Sequence, residues 1–179
     1  MRIIGGEWRS RIIAAPPTDL RPTADRTRES VFNILMNIVD FETCTVCDLF
    51  AGSGAMGIEA LSRGAAHALF VEKNPDAASI IKQNLKTLAA EARGEVITGD
   101  AHVYARTTID RADIVFADPP YDDPQLSSLV EDVLDQNLFK RAFIIEHSSS
   151  TVIKSGKHVP WKQREFGTSA VTIFMKENA

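Results

Sequence analysis

"TVCDLFAGSGAMGIEALSRG", residues 45–64, joins a short apolar run to a glycine-rich turn and then to a stretch of helical periodicity. Gly52, Gly54 and Gly57 satisfy G-x-G-x-x-G between a strand and a helix, and Glu72 stands 20 positions beyond Gly52, at the end of the next apolar run, "ALFVE". Glycines at those places let a ligand approach the backbone. An acid at the second strand end can accept hydrogen bonds from ribose hydroxyls. The combination predicts a site for an adenosine-containing ligand.

Outward from that junction the pattern repeats. "DAASIIKQNLKTLAAEA" reads as a helix, "EVITG" as a strand and 101–108 as a brief helix or turn. "DIVFA" is a strand, "QLSSLVEDVLDQN" a helix and "AFIIEH" a strand. Short apolar strands alternating with helices of ten or more residues predict an α/β fold, a mostly parallel sheet with helices on both faces. The tail, "KHVPWKQREFG" followed by "SAVTIFMK", adds two strands, a hairpin at one edge of what is then a seven-stranded sheet. Upstream, "RIIGGEWRSRII" predicts a small hairpin, separated from the body by the Pro-rich "APPTDLRPT". The division is an N-terminal arm over 1–22 and a main domain over 23–179. The main domain opens with an amphipathic helix capped by Thr23 or Asp25. Val31, Leu35 and Ile38 lie on one face of that helix, with Phe32 and Val39 beside them.

A chain of 179 residues, 44% hydrophobic, is long enough to bury one sizeable core. It contains no run near the ~18 apolar residues of a membrane span, and its first residues lack a signal-peptide pattern. A cytoplasmic protein with no membrane partner is expected. Cys44 and Cys47 form C-x-x-C, but they run into a strand rather than opening a helix and have no companion ligands, so both are expected as buried thiols. His67, His102, His147 and His158 lack ligand spacing and are expected to be structural or exposed. Net charge is −4, yet two segments are locally basic. One holds Arg2, Arg9, Arg11, Arg21, Arg26 and Arg28; the other holds Lys154, Lys157, Lys162 and Arg164 with no acid between them. Phosphate contact depends on such local density.

Two further acids bear on the ligand. Asp48 sits at the tip of the first strand, where it could face an ammonium or the loop amides, and Asp100 follows the third strand within reach of an adenine amino group. Carboxylates there would repel a pyrophosphate and attract the ammonium and sulfonium of S-adenosylmethionine. The fourth strand ends in "ADPPYDD", residues 117–123. An exocyclic amine on a nucleobase is a poor nucleophile because its lone pair is delocalised. If the Asp118 carboxylate and the Pro119 carbonyl accept its two hydrogens, the lone pair is aimed outward at a methyl donor. Pro119 and Pro120 make the backbone rigid, and Tyr121 offers a face on which the base stacks. Such a transfer rests on positioning and requires no metal.

"DLFAGSGAMGIEALSRG", "FVEKN", "GDA" and "FADPPYDDP" resemble the Rossmann-like class I S-adenosylmethionine-dependent amino-methyltransferases. With "RIIGGEWRSRII" and "LRPTADRTRESVFNIL", the chain resembles the RsmD-type 16S rRNA guanine-N2 methyltransferases over nearly its whole length, least after 148. The resemblance implies S-adenosylmethionine as cofactor and, as acceptor, the 2-amino group of a guanine in 16S rRNA, methylated during small-subunit assembly on rRNA or a 30S assembly particle. It assigns Gly52, Ser53 and Gly54 to the cofactor loop, Glu72 to the ribose, Asp100 and Ala101 to the adenine end, and Asp118 to Tyr121 to the acceptor base. It also implies that Arg21, Arg26 and Arg28 close over cofactor and RNA. Arg26 and Arg28 occupy the helix end where the dipole disfavours cations, which independently suggests another role. Arg9 and Arg11 are candidates for phosphate contact. Trp8 is a candidate for stacking or, equally, for packing the arm on the body. The alternatives are a DNA adenine-N6 or cytosine-N4 methyltransferase, which would carry a larger target-reading region, an NAD-dependent oxidoreductase, which leaves Asp118 to Tyr121 without a role, and a non-catalytic binding module. The oligomeric state is left open, a monomer included.

Overall fold

The protein is described from a computed structural model over residues 1–16, 22–108 and 112–176. Arg21, expected at the substrate, lies outside these residues. The elements in chain order are α1 (Pro22–Leu35), β1 (Thr45–Leu49), α2 (Ala55–Ser62), β2 (His67–Glu72), α3 (Pro75–Thr87), β3 (Gly94–Thr98), α4 (Ala101–Thr107), β4 (Ala112–Ala117), α5 (Leu126–Asp135), β5 (Phe139–Ser148), β6 (Lys162–Phe166) and β7 (Ser169–Met175). They build a seven-stranded sheet in the order β3-β2-β1-β4-β5-β7-β6. Pairing is parallel from β3 through β5, and β7 runs antiparallel to both of its neighbours. The expected edge hairpin is therefore β6–β7.

Alternation along the strands divides the core in two. Val46, Phe70, Ile114, Phe116 and Ile144 pack with α1, α2 and α3. Cys47, Leu49, Val71, Val115 and Ile145 face α4 and α5 on the other side. Gly57 is where α2 comes closest to the sheet, since a Cβ there would stand 2.3 Å from Cε1 of Phe70. Both cysteines are buried and unpaired, and burial pushes both thiols up from the ordinary range.

Two helices are shorter than their sequence periodicity suggested. In α1 the regular bond Met36 N–H to Phe32 O is followed by the tighter Asn37-to-Ile34 and Ile38-to-Leu35 bonds. That tightening rotates Ile38 outward to 38% exposure, whereas Val31, Phe32, Leu35 and Val39 stay buried. In α3 the helix stops at Thr87 because Ala89 adopts a left-handed conformation (φ 54°). The Ala90 N–H then bonds to Leu85 O and the Ala89 N–H to Lys86 O, a Schellman closure built on alanine where glycine is usual.

The N-terminal residues form a single antiparallel bridge, Arg2 with Ile12. They dock against the body: Ile3, Trp8 and Ile13 belong to the core on the α2 face. The Ile4 and Gly5 N–H groups donate to the two carboxylate oxygens of Glu59 at 2.9 and 2.8 Å, and the Trp8 N–H donates to Ser62 Oγ at 2.9 Å.

Candidate active site

Parallel pairing brings the carboxyl ends of β1, β2, β3 and β4 to one edge of the sheet. Asp48 pairs with Phe70 of β2 and with Phe116 of β4. Leu49 is opposite Ala117, so Asp118 emerges one residue past the partner of the last β1 residue. Adjacent strands stand about 4.8 Å apart, which puts the glycine loop and the D-P-P-Y segment side by side at the mouth of one crevice. This is where ligands bind in open α/β sheets, because neighbouring crossovers leave in opposite directions from β1 and β4.

The loop itself is a sequence of positive-φ residues, Phe50 (59°), Gly52 (55°) and Gly54 (80°). The Gly54 N–H closes it on Ala51 O at 2.7 Å. Glu72 holds the loop from the next strand: one carboxylate oxygen accepts from Gly52 N–H at 2.8 Å and the other from Asn74 N–H at 2.7 Å. Ser53 is buried, and its carbonyl accepts from Asn84 Nδ2 of α3 at 3.3 Å. Asp48 accepts from the Gly57 N–H at 2.9 Å, a direct contact with the amide at the start of α2. Burial pushes its carboxyl up to about 8; the Gly57 bond opposes that shift, while the negative fields of Asp118 and Glu72 add to it. Asp100, exposed, caps α4 by accepting from His102 and Val103 N–H groups at 2.8 and 3.2 Å, with Ala101 buried behind it.

Across the crevice Pro119 is buried while Asp118 and Pro120 are exposed, and Tyr121 shows 42% of its surface. The Tyr121 hydroxyl donates to Glu146 of β5 at 3.4 Å. A second tie joins the two halves of the site: His102 Nε2 lies 2.9 Å from Asp123 Oδ2, and Phe50 meets the His102 ring edge-on at 5.2 Å. Three strand ends are thereby linked through one imidazole. Neither Glu146 nor the His102–Asp123 pair was singled out by sequence reasoning. The nearest available signal was a histidine two residues into a helix that follows a capping acid.

The residues fit a cationic ligand. Glu72 and Asp118 bring negative fields to the loop beside the buried Asp48 carboxyl, whose ionised form an approaching cation would favour. A pyrophosphate would meet repulsion there, and an ammonium or sulfonium attraction.

The expected substrate cations separate into two groups. Arg9, Arg11 and Arg26 are exposed, although the Arg11 guanidinium also donates to Thr87 O at 2.8 Å. Arg28 is 3% exposed: it donates to Arg2 O at 2.9 Å and Asp25 Oδ1 at 2.8 Å, and its Nε is 3.8 Å from Glu59 Oε2. Of the two roles open to Trp8, packing is what the structure gives it. The indole is 5% exposed and the Arg93 guanidinium lies over its ring at 5.5 Å.

Residues 1–175 match the family model described as "Conserved hypothetical protein 95". The chain belongs to this family. It is 37% identical over 186 residues to "Putative rRNA methyltransferase YlbH" of Bacillus subtilis, covering 98% of this chain and 99% of that one. It is 42% identical over 122 residues to "Ribosomal RNA small subunit methyltransferase D" of Escherichia coli K12, which covers 68% of this chain and 60% of that protein. A solved structure titled "Putative methyltransferase yhhF from Escherichia coli" superposes with a TM-score of 0.86 at 31% identity, over 100% of this chain and 99% of that one. The RsmD-type resemblance seen in the sequence holds, and the fold is the Rossmann-like class I methyltransferase fold.

Proposed function

We propose that the protein transfers a methyl group from S-adenosylmethionine to the exocyclic N2 amine of a guanine in 16S rRNA, acting on the RNA or on a 30S assembly particle. The observation that carries this reading is the β1–β4 register, which sets Asp118, Pro119, Pro120 and Tyr121 against an acid-rich glycine loop. The names of the relatives favour ribosomal RNA over DNA as the substrate.

When bound in this crevice, S-adenosylmethionine supplies an electrophilic methyl group on a sulfonium. The chain supplies the placement. Gly52, Ser53 and Gly54 present backbone to the cofactor, Glu72 accepts from ribose hydroxyls, and Asp100 with Ala101 borders the adenine. Asp48 steadies the start of α2 through Gly57. On the acceptor side the Asp118 carboxylate and the Pro119 carbonyl each accept a hydrogen bond from the amine, which draws its lone pair out of conjugation. Tyr121, held by Glu146, stacks on the base. Arg9, Arg11 and Arg26 contribute exposed cations toward phosphate. Arg28 acts one step back, by fixing the N-terminal segment beside the loop.

The test is transfer of labelled methyl to unmodified 16S rRNA, 30S particles or duplex DNA, followed by nucleoside analysis. Label in N2-methylguanosine from rRNA is expected. Label in N6-methyladenine or N4-methylcytosine from DNA would replace this reading with the DNA alternative.

A further inference from the structure

Away from the crevice, a groove of about 490 Å³ lies between α1 and the edge strand β6. Its α1 wall is one helical stripe, with Arg26, Ser30 and Asn33 at the spacing that brings side chains onto a common face, and Asn37 of the following turn extends it. Its opposite wall is Trp161, Lys162 and Arg164. Glu29 is the lone acid in the lining. No salt bridge is found for Arg26, Lys162 or Arg164 among the described residues, although most cations elsewhere on the body have an acid nearby.

The cations are held in position. Arg164 donates from Nη1 to Ser30 Oγ at 3.1 Å across the groove, and its guanidinium lies 5.7 Å from the centre of the Phe166 ring. Lys162 Nζ stands 5.5 Å from the Trp161 ring, which is itself 49% exposed. A basic edge strand can serve only to discourage edge-to-edge pairing. That role asks for no fixed geometry and no partner helix, and here one guanidinium bridges to α1.

The sheet register ties the groove to the acceptor corner. Glu146, which holds Tyr121, pairs with Val171 of β7, and Val171 pairs with Arg164 of β6. The three residues share one rung and one sheet face, so Arg164 stands two strand spacings, about 10 Å, from Glu146. Phosphate neighbours of a base stacked on Tyr121 would be led along this rung toward the groove.

We propose that the α1–β6 groove binds the sugar-phosphate backbone of the RNA flanking the target guanine, with Arg26, Lys162 and Arg164 as its phosphate contacts. This rests on the rRNA reading above and assigns a role to the C-terminal basic segment, which that reading did not use. The stated occupant follows from charge. A chain of net charge −4 turns a cation-rich, nearly acid-free concavity toward its acceptor site, and counterion release from neutralised phosphates then contributes to affinity.

The experiment is binding of the full-length protein to a 16S rRNA transcript across a salt series, comparing wild type with Lys162→Gln/Arg164→Gln. Each phosphate contact adds roughly 0.7–0.9 to the slope of log K against log salt. The double variant should therefore bind more weakly at low salt, with a slope shallower by about 1.4–1.8, while its melting midpoint and cofactor affinity match wild type. Arg164→Lys, which keeps the charge, should retain most of the slope. Wild-type affinity and slope in the double variant would overturn the inference. So would a loss confined to protein-bearing particles, which would make the groove a ribosomal-protein contact. A wild-type protein that neither binds nor methylates rRNA would overturn the functional reading and the groove together. An active wild type with an indistinguishable variant would overturn the groove alone.

Discussion

Asp48 and Glu59 are two buried acids on either side of α2's first turns, 3% and 1% exposed, and their surroundings are opposite. Glu59 accepts from two backbone amides and from Arg63 Nε at 2.9 Å, with Arg28 at 3.8 Å. Asp48 is held by the amides of α2 and has other acids for neighbours. The Glu59 charge is neutralised within the protein and fastens the N-terminal segment, α1 and α2 into one body. Asp48, pushed up to about 8 by burial and by its acidic neighbours, keeps a proton at neutral pH that a bound cation would displace, and a carboxyl so perturbed at a crevice is the electrostatic mark of a place where a ligand completes the structure.

The largest effect should come from Glu59. Glu59→Ala removes the acid beside Arg63, leaves Arg28 with Asp25 as its remaining carboxylate, and leaves the Ile4 and Gly5 amides without acceptors, a change of the kind that costs about 3–5 kcal/mol. At ~2–4 °C per kcal/mol for a chain of this size, the thermal midpoint should fall by at least about 6 °C. A shift below about 2 °C would erase the contrast by showing that Glu59 carries no more than a surface pair does.

Asp48→Asn should sharpen the contrast from the other side. Burial raises the folded-state pKa of Asp48 to about 8 from the 3.8 of an ordinary aspartate. The folded protein thus binds more protons than the unfolded chain across that interval, and stability falls as pH rises from about 4 toward about 8. Asparagine can still accept the Gly57 N–H and carries no proton to lose. Between pH 5 and 8 the midpoint of the variant should decline less than that of wild type, while its affinity for S-adenosylmethionine drops by up to about tenfold, because asparagine cannot ionise beside the bound cation. Loss of stability at every pH with unchanged cofactor affinity would make Asp48 a second Glu59.

Much of this was legible in the sequence. The alternation of short apolar runs with longer periodic ones gave the sheet and its edge hairpin, and glycine spacing with Glu72 and D-P-P-Y marked the two corners of the crevice. The inward turn of the arm was less legible. Arg28 was noticed because a cation opposes the dipole at a helix N-terminus. Asp25 of the same helix pairs with it at 2.8 Å, but its buried partner, Glu59, lies on another helix, in "GIEALSR". An acid among fully buried apolar neighbours was the available clue, since such a charge requires partners. Ile38 and the end of α3 were misplaced for local reasons, a tightened last turn and an alanine in the left-handed region. Neither leaves a glycine or proline to read.

The central claim is that Asp118 works on the acceptor amine and not on the cofactor, though both occupy one crevice. Asp118→Ala should be assayed for turnover on unmodified 16S rRNA and, in parallel, for S-adenosylmethionine binding by calorimetry. The account predicts a fall in kcat of about 10²–10³-fold, as for removal of one preorganised polar group, with cofactor Kd within about twofold of wild type. Parallel losses in both, or turnover left intact, would contradict it.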